Sequence, residues 1–315
     1  MSIKKIMISS IAVLMLLIIY LIPDNKKEIE LSNSGIEYVS DNIKSTIYLV
    51  DSDDYVARTS ISTCKCDGID KAKDLLNGLI IDGAKSSIIP NGFRSIIPPG
   101  TSVLDIELDN GVITIDFSSE FLDVNENEEK KMIEAIIYTL TSIDGIDKVI
   151  IKVEGEIISK LPSGNLISSV LDRSYGINKS FDLINTSNID SYTVYYVNEY
   201  NDNKYYVPVT KYVNNMVEEP IKVIIKELSS SPVYETNLMS YLNANAELSN
   251  YELIDGNLKL NFNELLLNDL DEKSILEEVI YTISLSMNNI YNDLEKVSFY
   301  VNEEEIHVFN LDDIN

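Results

Sequence analysis

ITIDFSSEFL at residues 113–122 and LKLNFNELLL at residues 258–267 are one pattern written twice, 145 positions apart. Ile113, Ile115 and Phe117 alternate with Thr114 and Asp116, as Leu258, Leu260 and Phe262 alternate with Lys259 and Asn261. A two-residue period puts one set of side chains on a dry face of a sheet and the other on a wet one. Three further landmarks repeat in the same order around this pair. IYLV at 47–50 returns as VYYV at 194–197, IIYT at 136–139 as VIYT at 279–282, and KVIIKV at 148–153 as KVSFYV at 296–301, with offsets of 147, 143 and 148. A kept order with offsets drifting by a few residues reads as a tandem duplication whose loops absorb the drift.

Each unit reads alike. A strand over Thr46–Val50 meets the polar turn Ser52-Asp53-Asp54, and the run Tyr55–Ile61 completes a hairpin. Ile69, Ala72, Leu75, Leu76 and Leu79 then follow at helical spacing. Val103–Leu108 and Val112–Phe117 flank Asp109-Asn110-Gly111, whose Asn-Gly step suits a tight hairpin. Leu104, Ile106 and Leu108 share the dry face of the first of these strands. A second helix, with Ile133, Ile136, Ile137, Leu140 and Ile143 on one stripe, leads to a last strand built on Val149, Ile151 and Val153. The second unit repeats the scheme, with Pro220 opening its first helix, where an amide donor is not missed. The predicted fold is α+β: two tandem repeats, each a small mixed sheet in β-β-α-β-β-α-β order with two helices on one face.

Composition narrows the function. The 315 residues carry 51 acidic against 25 basic side chains, a net charge of −26, with two cysteines and one histidine. Phosphate binding needs clustered Lys and Arg, so nucleic acid is not the expected partner. Residues 6–22 hold 17 uncharged positions between Lys4-Lys5 and Pro23, without an A-x-A-like site or a cysteine for lipid attachment between Tyr20 and Glu30. They read as an uncleaved transmembrane signal anchor, with the bulk of the chain outside the cytoplasm. The expected plan is an anchor at 1–23, a stalk at 24–45, a first domain at 46–156, a linker at 157–191 and a second domain at 192–315.

One stretch of the first unit is distinctive: SSIIPNGFRSIIPPGTSVLDIELDNGVITIDFSSEFLD, followed by MIEAIIYTLTSIDGIDKVIIKVEG. It resembles the GerM (GerMN) domain family, with the turn Pro98-Pro99-Gly100-Thr101, the hairpin glycine Gly111, the strand end Asp116-Phe117-Ser118, Thr139 and Thr141 in the helix, and a strand from Val149 closed by Gly155. In the second unit Asn243-Ala244-Asn245 stands for Pro-Gly-Thr, and Asn261-Phe262-Asn263 for Asp116-Phe117-Ser118. The resemblance implies a fold related to ring-building motifs of secretion systems. It also implies a sporulation role in the assembly that links mother cell and forespore across the intermembrane space. It supplies no catalytic residue and no cofactor.

The remaining candidates are weighed on their chemistry. His307 near the C-terminus reads as solvated or capping, and no G-x-S-x-G elbow accompanies it. Asp51, Asp53 and Asp54 crowd one turn, without the Gly and distal Glu of an EF-hand, so turn chemistry rather than a metal explains them. Cys64 and Cys66 either close a disulfide or stay reduced thiols. The loop Ser86–Gly100, with Ile88, Ile89, Phe93, Ile96 and Ile97, either tucks under the first helix or forms a patch. Tyr195, Tyr196, Tyr205 and Tyr206 on the second unit's opening hairpin are either interface residues or strand formers. The sequence thus reads as a non-enzymatic envelope scaffold that binds envelope and sporulation proteins and self-associates. A peptidoglycan-binding or wall-modifying protein is the alternative.

Overall fold

In the computed structural model, which describes residues 42–214, 218–230, 236–291 and 293–314, the first copy opens on a hairpin of β1 (Asn42–Asp51) and β2 (Val56–Cys64). The signal anchor expected at 1–23 and the stalk up to residue 41 lie outside the described residues; residues 42–45, assigned above to the stalk, belong to β1. No helix among the described residues is long and apolar enough to cross a membrane. The first copy continues through α1 (Gly68–Leu79), β3 (Phe93–Arg94), β4 (Val103–Asp109), β5 (Val112–Phe117), α2 (Glu129–Leu140), β6 (Lys148–Val153) and β7 (Glu156–Ile157). After β8 (Ser180–Asp182) in the linker, the second copy runs β9 (Ile189–Tyr200), β10 (Asn203–Asn214), α3 (Pro220–Ser229), β11 (Leu248–Ile254), β12 (Asn257–Phe262), α4 (Glu277–Asn288), β13 (Lys296–Val301) and β14 (Glu304–Asn310). Both copies show the expected order with a closing strand added, and the first also inserts the two-residue β3 before β4.

Each copy has its own four-stranded mixed sheet, β4-β5-β6-β7 and β11-β12-β13-β14. The central pairs β5/β6 and β12/β13 are parallel, so α2 and α4 serve as the crossover helices that parallel neighbours require. The opening hairpins do not extend these sheets. They join one another in a third sheet, β3-β1-β2-β10-β8 with β9 on β10, where Tyr206 of β10 stands opposite Arg58 of β2. Asn42–Asn315 consequently form one compact unit rather than two beads.

The hydrogen bonds give the correspondence between copies. Tyr48 N donates to Thr139 Oγ1 at 2.9 Å, and Tyr195 N to Ser286 Oγ at 2.9 Å, each across 91 residues. Ser286, not Thr282, is therefore the counterpart of Thr139. The IIYT/VIYT match is displaced by one helical turn, an error that the 3.6-residue period hides because the apolar stripe stays in phase. Thr282 donates instead to Glu278 O. The strands hold a second correction. β4 and β11 both slip register at the same place, between Val103 and Asp105 and between Leu248 and Asn250. The extra residue of this bulge is Leu104, which is 51% exposed rather than on the dry face.

Two apolar cores result, one under each copy. The linker contributes Leu161, Ile167, Leu171 and Ile177 to the first, so it is packed structure along much of its length. In the loop Ser86–Gly100, Ile96 and Ile97 are buried and Ile88 is exposed. Phe93 packs against both cores, its ring 4.8 Å from that of Tyr205. Gly92 lies under the Tyr200 ring, where a Cβ would stand 2.6 Å from the ring carbons. That loop is part of the contact between copies.

Candidate functional site

The four hairpin tyrosines, read above as interface residues or strand formers, are largely covered. Tyr195 and Tyr196 are 2% and 3% exposed and Tyr205 is 6%, while Tyr206 is half-buried. The cause is simple: β9 packs against α4 and α3 and also meets the first copy through Tyr195 and Asn198, so alternation no longer selects an outer set. Tyr196 donates to Glu227 and Tyr206 stacks on Tyr281 within the second copy. Tyr195 and Tyr205 do join an interface, between the two copies, through Tyr48 and Asp51.

Counterpart residues meet there. The hydroxyls of Tyr48 and Tyr195, 147 residues apart, hydrogen-bond at 2.9 Å. Asn198 Nδ2 donates to Asp51 Oδ2 at 3.0 Å across the same separation. Contacts between equivalent positions are the mark of an isologous, two-fold-like interface. Asp51 is its hub: one oxygen accepts from Asp53 N and Tyr55 N, the other from Asn198 and from the Tyr205 hydroxyl at 2.9 Å. Burial raises the Asp51 pKa, and the hydrogen bonds from Tyr55, Tyr205, Asn198 and Asp53 oppose that rise. Burial also pushes up the Tyr195 hydroxyl, and lifts Tyr138, beneath the pair, to about 12. Asp53 accepts from Asn198 as well, and Asp54 pairs with Arg94 and Lys131. The acidic turn is thus occupied by its own neighbours, and no cluster among the described residues could hold a metal ion.

The linker clasps this junction. Pro208 has no N–H to offer β2, and Asn178 stands in the gap. Its Oδ1 accepts from Val56 N at 2.9 Å, and its Nδ2 donates to Val56 O at 2.8 Å and Pro208 O at 2.7 Å. Asn178 N donates in turn to Glu134 Oε2 at 3.0 Å, with Lys179 3.9 Å from the other carboxylate oxygen. Glu134 is 4% exposed, and burial raises its pKa to about 6 against the pull of that bond and of Lys179. Arg173 donates to Thr141 Oγ1 and Thr141 O at the C-terminus of α2 and lies 5.1 Å over the Tyr138 ring. Sequence reasoning missed Asn178, Arg173 and Glu134. Only Glu134 left a signal, an acid inside the apolar run of its helix.

The family-motif residues turn out to hold backbone. Pro98-Pro99-Gly100-Thr101 is a turn with Thr101 N on Pro98 O and Gly100 at φ +82°, the type II pattern. Thr101 Oγ1 closes it on Pro98 O at 2.8 Å. Gly111 turns β4 into β5, and its carbonyl accepts from Asp147 N and Lys148 N. Ser118 Oγ accepts from Ser102 N, Asp116 Oδ1 accepts from Gly155 N, and Phe117 is fully buried. The divergent second copy keeps these bonds with other atoms: Asn263 Oδ1 accepts from Glu247 N, and Asn261 Oδ1 from Glu303 N. Cys64 and Cys66 form a disulfide at the end of β2, where Cys64 N donates to Asp74. His307 is exposed on β14.

Fold and junction together define a class: an α+β protein made of two like domains locked through their opening hairpins. The chain belongs to the Germane family, described as "Sporulation and spore germination", whose model matches residues 40–159 and 193–307. It is 34% identical over 284 residues to the spore germination protein GerM of Bacillus subtilis (strain 168), covering 88% of this chain and 76% of that protein. It is likewise similar to the solved tandem GerMN domains of the B. subtilis sporulation protein GerM, with a TM-score of 0.75 and 31% identity over 84% of this chain and 92% of the other.

Proposed function

We propose that this protein is a non-enzymatic, membrane-anchored scaffold that acts in sporulation from outside the cytoplasm, at the envelope between mother cell and forespore. The observation that carries the reading is the junction. Tyr48, Tyr195, Asp51, Asn198, Tyr205 and Asn178 spend their polar atoms on joining the copies, and the motif residues spend theirs on turns. Side chains so engaged lock the two copies into one body, and a rigid body suits a protein that is held by neighbours. Family membership supports the sporulation setting. The uncharged run at 6–22 supports the anchor.

The test is in-cell crosslinking of the full chain through engulfment, beside localisation of a fluorescent fusion. Recovery of envelope proteins with septal enrichment is the expected result. Uniform vegetative staining without crosslinked partners, or retention by purified peptidoglycan alone, would overturn it.

A further inference from the structure

The two copies differ at one groove. In the first, the space between β2 and α2 is filled by the chain itself: Asn178 sits on Val56 and Glu134. Lys179 lies 3.9 Å from Glu134, its ammonium 3.4 Å over the Tyr175 ring. The common 91-residue spacing from Tyr48 to Thr139 and from Tyr195 to Ser286 maps Lys130, Lys131 and Glu134 onto Glu277, Glu278 and Tyr281. Val50 pairs with Val56 and Val197 with Tyr206, so Val56 maps onto Tyr206 and Asp54 onto Lys204. Lys204, Tyr206, Glu277, Glu278 and Tyr281 are the residues that line a shallow cavity of about 320 Å³. An ion pair is mirrored with its signs exchanged, Asp54–Lys131 in the first copy and Lys204–Glu278 in the second. The groove that the linker fills in one copy is an open cavity in the other.

Its chemistry says what would fill it. Tyr206 and Tyr281 stack with ring centroids 5.3 Å apart and planes within 5°. Glu278 is neutralised by Lys204, whose ammonium also lies 4.6 Å over the Tyr241 ring. Glu277 is exposed and makes no ion pair among the described residues. A carboxylate without a counter-ion among the described residues, beside tyrosine rings, suits an ammonium or guanidinium group. The chain's net charge of −26 steers basic partners toward it. We propose that this groove receives a lysine or arginine side chain from an extended segment of a protein partner, as the first copy's groove receives Lys179. The proposal deepens the scaffold reading and rests on it.

The probe is a capped peptide with the linker's own sequence, Ser174–Phe181, titrated onto the full chain while backbone amide shifts of residues 277–281 are followed by NMR. Saturable shifts in α4 are expected. They weaken about fivefold in Glu277→Gln, further in Glu277→Lys, and when the peptide's lysine is replaced by alanine. Glu252→Gln, on β11, leaves binding unchanged. Equal affinity in Glu277→Gln, or shifts confined to Val56 and Glu134, would overturn the proposal. So would self-association of the chain that Glu277→Gln disperses, since the occupant would then be a second copy. Crosslinks to envelope proteins that persist while the peptide ignores α4 would retire the groove and leave the scaffold standing. Loss of both would retire the scaffold too.

Discussion

The first copy keeps the family motif and borrows the linker; the second has drifted from the motif and stands without one. Leu161, Ile167, Leu171 and Ile177 of the linker enlarge the first core, and Asn178 closes its side of the junction. The second copy has a seven-residue β14 where the first has only the two-residue β7. Two modules of one origin have therefore reached similar packing by different routes, one with an added segment and one with an added strand. The lesson is that the duplicated unit is incomplete at a fixed place, the outer edge of its last parallel strand, and each copy has solved the same deficiency locally.

Breaking the borrowed part should cost most. Asn178→Ala removes three side-chain hydrogen bonds and leaves Val56 and Pro208 without their partner, a loss of roughly 3 kcal/mol. Urea unfolding should then show the copies melting apart, whereas the native chain gives one transition.

The next effect is electrostatic. The folded state raises the Glu134 pKa from 4.5 to about 6, so the folded protein holds that proton more tightly than the unfolded chain does. The protonated carboxyl thus contributes stability that is full below pH 4.5 and is lost as the pH rises through about 6. The difference is about 2 kcal/mol. Glu134→Gln keeps an acceptor for Asn178 N and removes the titration. Its stability relative to the native chain should therefore rise by that amount between pH 4 and pH 7.5, as read by thermal melts.

Smaller effects probe the counterpart contacts. Tyr48→Phe and Tyr195→Phe should each cost about 1 kcal/mol. The double variant should cost clearly less than the two together, because one bond is being removed twice. The smallest concerns a turn: Gly155 sits at φ +84°, and Glu303 occupies the equivalent position at φ +70°. Glu303→Gly relieves that backbone and should stabilise the second copy by about 0.5 kcal/mol in denaturant titrations.

Much of each copy was legible in the chain. Alternation at Ile113, Ile115 and Phe117, the Asn110-Gly111 turn and the helical stripes all recur in the structure because they report local geometry. What the sequence hid was long-range. Nothing in β2 or β10 marks Arg58 as the partner of Tyr206, since strand pairing is set by shape far along the chain. The tyrosines stayed ambiguous for the same reason: a period of two separates faces without saying which are covered. Leu104 misled because a bulge shifts the period itself. The candidate junction was visible only as the tyrosines of the second opening hairpin, and its clasp, Asn178, sits in a stretch without periodicity.

Asp51 and Asn198 carry a consequence for how the halves hold together. A faithful repeat would have set two carboxylates against each other at that spot, and such like charges repel. The amide at 198 turns a repulsive self-meeting into a bond. Placing an aspartate at 198 to match its twin would therefore prise the halves apart.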